Sequence, residues 1–156
     1  MNLAGRSYTT SVILLVEEDV ALRGVLQEAF EDEGYRVCSR GQAPSVDEVA
    51  EMHPDLMLLD VTTRVDGESW NLVTEMKATP RVADVPIVVC SDDGAFVSQE
   101  NVRARARAAA ILAKPFSLED LLPVVATALD RRDRYRGISD LIAEPSANTG
   151  WDNIGF

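Results

Sequence analysis

Long apolar runs are missing from this chain of 156 residues. None approaches the roughly 18–20 residues that a membrane span needs, so a spanning helix is excluded. Cysteine is scarce, with only Cys38 and Cys90. Two thiols are too few for a disulfide scaffold, and both read as small, reduced core residues. The first residues, MNLAGRSYTTS, lack a basic patch followed by an apolar core, so no secretory signal is expected and a cytoplasmic protein is. Positive charge is in deficit. The chain carries 15 Lys and Arg against 26 Asp and Glu, a formal net charge of −11. Residues 1–130 account for all of it, because residues 131–156 hold four of each sign. An acidic domain repels phosphate backbones, which disfavours direct nucleic-acid binding. The length leaves room for one domain with a real core, not two.

What is present is a repeated pattern. Four short runs rich in Val, Ile and Leu each stop at a charged or hydroxyl residue: VILLVEED at 12–19, PDLMLLD at 54–60, VPIVVCS at 85–91 and AAILAKPF at 109–116. Buried parallel strands look this way when their C-terminal ends line one site. The residues delivered there are Glu17, Glu18, Asp60, Ser91 and Lys114. Carboxylates, a hydroxyl and an ammonium together suit a hard divalent cation and a phosphoryl group.

Helical patterns alternate with these strands. Leu22, Val25, Leu26, Ala29 and Phe30 fall on one helix face, and Gly34 stands where a C′ glycine ends a helix. A short strand follows near 35–39. A helix is predicted over 44–52 with Val46, Val49 and Ala50 inward, and others near 68–78 and 98–108. The last helix opens at Ser117, with Asp120 at the capping-box position, and its inward stripe is Leu118, Leu121, Leu122, Val125, Ala126 and Leu129. Five strands alternating with five helices imply a doubly wound α/β domain, a five-stranded parallel sheet with helices on both faces. Ligands in such folds bind beyond the carboxyl ends of the strands.

Over about 11–131 the chain resembles a bacterial two-component response-regulator receiver domain. The resemblance is carried by the acidic pair Glu17-Glu18, Asp60, Asp66-Gly67, Ser91, Lys114-Pro115-Phe116 and the stretch ATPRVADVPIVV at 78–89. It implies a flavodoxin-like strand order of 2-1-3-4-5. It also implies that Asp60 is the phosphoacceptor, with Lys114 and Ser91 contacting the phosphoryl oxygens. Mg²⁺ would be held by Glu18, Asp60 and the backbone carbonyl of Thr62, with Glu17 acting through water. A histidine kinase or phosphotransfer protein would be the donor, and an unknown downstream protein the target, with self-association as a further expectation. No independent turnover is expected. The partner-facing surface would include Arg103, Arg105, Arg107 and Ile111. Residues 1–10 form an N-terminal extension and 132–156 a tail, flexible or docking, with no effector domain after 131.

The chain departs from the family pattern in places. Its acidic pair is Glu-Glu, where the family has at least one Asp. The loop after Asp60 is one residue shorter, with Arg64 where proline is usual, and Asp92 follows Ser91 where a small residue is preferred. Ile111 replaces the aromatic switch residue, and Arg107 stands where glycine is common. These departures support an alternative, a receiver that binds partners without phosphorylation. A remoter alternative is a phosphatase of the haloacid dehalogenase type. There an acid–base residue follows the nucleophile by two positions, and here that position holds Thr62, a poor general acid.

Overall fold

The computed structural model describes residues 10–61, 68–92 and 108–142. Along the chain run β1 (Val12–Val16), α1 (Val20–Asp32), β2 (Arg36–Arg40), α2 (Val46–Met52), β3 (Leu56–Val61), α3 (Glu68–Ala78), β4 (Ile87–Ser91), β5 (Ala110–Ala113) and α4 (Leu118–Ile142). The strands form one sheet, ordered β2-β1-β3-β4-β5, with every pairing parallel. The fold is the flavodoxin-like one. The helix expected at 98–108 lies outside the described residues.

Strand period two divides the core in half. Leu14, Val16, Met57, Leu59, Ile87 and Val89 face one side, where Val49 of α2 and Met76 of α3 pack on them. Ile13, Leu15, Leu56, Leu58, Val88 and Cys90 face the other, against Leu26 and Phe30 of α1 and Leu121 and Val125 of α4. Both faces are covered, so the strands read as continuous apolar runs rather than alternating ones. Shortening a fully buried member such as Leu15 to alanine removes about 2–5 kcal/mol.

Local signals set the helix ends. Asp19 caps α1, its Oδ1 accepting the Leu22 N–H at 2.9 Å. Gly34 sits at φ +91° just past the helix, a left-handed C′ position that other residues rarely tolerate. Ser45 and Glu48 form a capping box at α2. Ser117 and Asp120 form another at α4, their backbone N–H groups donating reciprocally to each other's side-chain oxygens.

Two inward stripes differ from expectation. Val25 is 54% exposed, because α1 presents a narrower face than its apolar residues suggest. In α4, Ala126 is exposed and Leu118 partly so, while Ala128 is buried with Leu121, Val125 and Leu129. The helix also runs through Gly137 to Ile142, so the boundary expected at 131 falls inside it. Ion pairs hold this extension. Arg132 is buried and its Nη1 donates to Asp55 Oδ1 at 2.7 Å, while Asp55 Oδ2 accepts the Val12 N–H at 2.8 Å. Arg136 Nη2 lies 2.8 Å from Asp84 Oδ2.

Candidate functional site

Register brings the polar strand ends together. Val16 lies beside Leu59, so Glu17 follows at the level of Asp60. Val61 pairs with Ser91 and Ser91 with Ala113, which puts Lys114 one step beyond. The Lys114 N–H donates to the Ser91 carbonyl at 2.7 Å, extending the ladder to the lysine itself, and the Lys114–Pro115 bond is cis.

One ammonium serves two carboxylates. Lys114 Nζ lies 2.9 Å from Asp60 Oδ1 and donates to Glu17 Oε2 at 3.1 Å. These are buried groups, with side chains 8% exposed at Asp60 and 4% at Glu17. Burial works against the charge on Lys114, but the two carboxylates outweigh it and raise its pKa. Burial pushes the Glu17 carboxyl up, with help from the Asp60 charge and against the hydrogen bonds from Lys114 and the Asp19 N–H. Burial likewise pushes the neighbouring Cys90 thiol up to about 12, which leaves it a core residue without nucleophilic character. Ser91 is fully buried at the end of β4.

The loop after β1 is held from behind. Arg23 Nη1 donates to the Glu17 carbonyl at 2.8 Å, and the Glu17 N–H donates to the Arg40 carbonyl at 3.0 Å. Gly41 leaves the room this needs, since a Cβ there would stand 2.7 Å from Arg23 Nη1. Sequence reasoning missed Arg23, which reads as an ordinary solvated helix residue. It also missed Asp19 as a cap, although an Asp directly before the first helical turn is a start signal.

Other predicted residues fall differently. Glu18 is exposed beside the pocket, and so is Asp92. Ile111 is half-buried against the core under α2 and α3. Thr62, Arg64, Asp66, Gly67, Arg103, Arg105 and Arg107 lie outside the described residues. Among the described residues no group of three or more His, Cys, Asp or Glu side chains is gathered closely enough to hold a metal ion. The donor set still fits a hard cation. Asp60 Oδ1 is buried and takes no aligned hydrogen bond, its approach to Lys114 being an ion pair only. It therefore keeps coordinating capacity, in a pocket where, among the described residues, two carboxylates meet one ammonium.

The family model for the response regulator receiver domain matches residues 13–126. This chain is a member of that family. Receiver domains of this kind are signalling modules of two-component systems. The chain is 38% identical over 138 residues to the transcriptional regulatory protein PdtaR of Mycobacterium tuberculosis, covering 85% of this chain and 62% of that protein. It is 30% identical over 129 residues to the DNA-binding dual master transcriptional regulator RpaA of Synechocystis, covering 78% of this chain and 50% of that one. Thus the chain spans between half and two thirds of the length of these two relatives. Among solved structures, a CheY-like response regulator receiver domain protein from Methanospirillum hungatei aligns with a TM-score of 0.68 and 25% identity, over 81% of this chain and 99% of that one. NtrX from Brucella abortus aligns with a TM-score of 0.71 and 26% identity, over 85% of this chain and 30% of that one. No described helix is long and apolar enough to cross a membrane.

Proposed function

We propose that this receiver domain accepts a phosphoryl group on Asp60 from a histidine kinase or phosphotransfer protein and signals through protein–protein contacts in the cytoplasm. The observation that carries this reading is the Lys114 ammonium 2.9 Å from Asp60 Oδ1, in a buried pocket at the carboxyl end of the sheet. An Asp60 carboxylate oxygen attacks the phosphorus of a phosphohistidine. The P–O bond forms, the P–N bond breaks with its electron pair going to the imidazole, and an acyl phosphate results. Little further covalent chemistry is needed; positioning and charge neutralisation dominate. Lys114 follows the charge from the Asp60 carboxylate to a phosphoryl oxygen, and the Ser91 hydroxyl donates to another. Glu17, Glu18, Asp60 and the Thr62 carbonyl are the residues to hold Mg²⁺, which when bound neutralises charge on the phosphoryl oxygens. Arg23 and Gly41 set the loop that carries the acidic pair.

Acetyl phosphate bearing labelled phosphorus tests this. Incorporation that needs Mg²⁺ and vanishes in Asp60→Asn is expected. Label retained by Asp60→Asn removes Asp60 from the role. A second reading is binding that needs no phosphorylation, with Arg103, Arg107 and Ile111 on the partner face. It is favoured by Glu17, whose carboxylate already occupies Lys114 in the resting pocket. A wild-type protein that incorporates nothing yet captures its partner as well as any Asp60 variant would establish that reading instead.

A further inference from the structure

A second cavity lies at the far end of the domain from Asp60. It has a volume of about 680 Å³, within the range of small-molecule sites. Its floor is apolar: Pro86 before β4, Ala108, Ala109 and Ala110 entering β5, and Pro123 and Val124 of α4. Its rim is cationic. Among the described residues, Lys77, Arg131, Arg132 and Arg136 line it with one carboxylate, Asp84, on a protein whose net charge is −11. Tyr135 completes the wall and is 70% exposed.

The buried guanidinium in this wall has donors left over. Arg132 Nη1 is taken by Asp55, but Nη2 is 3.9 Å from Asp84 Oδ2, beyond hydrogen-bond reach, and Nε is buried with no hydrogen-bond partner. Buried donors are ordinarily satisfied, and the Nε–Nη2 edge of a guanidinium matches the two oxygens of a carboxylate. Asp84 is already engaged at 2.8 Å by Arg136. Arg131, on the exposed side of the same helix, adds charge at the mouth.

We propose that this cavity binds a small amphiphilic anion, a carboxylate head on an apolar chain. The chain lies over the alanine and proline floor. The head is held by Arg131 and by the unpaired Nε–Nη2 edge of Arg132, while Arg136 stays on Asp84 through its own Nε and Nη2. The site is independent of phosphoryl chemistry, because none of its lining residues belongs to the pocket around Asp60.

Decanoate is a suitable probe, titrated below its micellar concentration into the full ¹⁵N-labelled chain and followed by amide NMR. Decanol and acetate serve as controls for apolar burial alone and charge alone. Saturable shifts confined to the amides of 77, 84, 108–110 and 124–136 are expected with decanoate. Arg131→Glu is expected to weaken binding about tenfold, the loss of one charge-assisted contact. Thr127→Trp, an exposed position on the cavity wall, is expected to abolish it by filling the space while leaving every charge in place. Shifts with acetate equal to those with decanoate mean an adventitious ion only, and overturn the proposal. Equal binding of decanol, shifts elsewhere on the surface, or unchanged affinity in Thr127→Trp also overturn it.

Discussion

The two ends of the sheet carry ion networks built on opposite balances. At the carboxyl end, Glu17 and Asp60 share one ammonium, Lys114. At the amino end, the guanidinium groups of Arg132 and Arg136 meet Asp55 and Asp84, cation for anion. The balanced network braces elements against one another and leaves over only the Nε–Nη2 edge of Arg132. It ties the start of β1, the start of β3 and the α4 extension together through the two oxygens of Asp55. The unbalanced network is held short of positive charge. A buried surplus of carboxylate costs stability unless a partner arrives, which is why such surpluses mark sites rather than struts.

Four experiments sharpen or break this contrast. The largest effect is expected at the carboxyl end, where Lys114→Ala should lower the rate of phosphoryl incorporation about 100-fold or more, read from labelled acetyl phosphate. An equal rate would mean that the ammonium is a strut after all. At the amino end, Arg132→Ala should leave incorporation intact but lower unfolding free energy by about 2–3 kcal/mol in urea, since it strands the Asp55 carboxylate. The reverse assignment, with activity lost and stability kept, would merge the two networks into one function.

A smaller effect separates the networks by sign. Because burial raises the Glu17 pKa above 4.5, the folded state binds its proton more tightly than the unfolded state does. Its ionised form therefore opposes folding, and that penalty disappears as pH falls through the folded pKa toward 4.5. Glu17→Gln should raise the thermal midpoint by a few degrees at neutral pH and flatten its pH dependence above 4.5, while weakening Mg²⁺ binding. A lowered midpoint would show that the Lys114 contact outweighs burial. The smallest effect belongs to Gly41→Ala. The added methyl meets the mobile end of Arg23, so stability should fall by about 1 kcal/mol or less, with a weaker Mg²⁺ response as the loop after β1 shifts.

Much of this was legible in the chain. The apolar runs ending at Glu17, Asp60, Ser91 and Lys114 gave the sheet and its active edge, because strands buried on both faces need no alternation and leave their only polar residues at their ends. Ser117 and Asp120 marked a helix start through local hydrogen bonding, and Gly34 marked a helix end through its backbone freedom; sequence records both directly. What escaped depended on distance. Arg132 looks like one charge among several in RRDRYR, and only the fold brings it to Asp55, 77 residues earlier. Arg23 and Gly41 are neighbours only because α1 lies against the end of β2. The face of α4 was misjudged at Ala126 and Ala128, since alanine carries too little apolar weight to fix a helix's rotation.

The most direct test of the central claim, that Glu17, Asp60 and Lys114 form one pocket completed by a cation and a phosphoryl group, is amide NMR with beryllofluoride, an acyl-phosphate mimic, plus Mg²⁺. Concerted shifts at Glu17, Asp60, Ser91 and Lys114 that require both additives are predicted. Spectra left unchanged by beryllofluoride and Mg²⁺ together, or changed equally in Asp60→Asn, would contradict it.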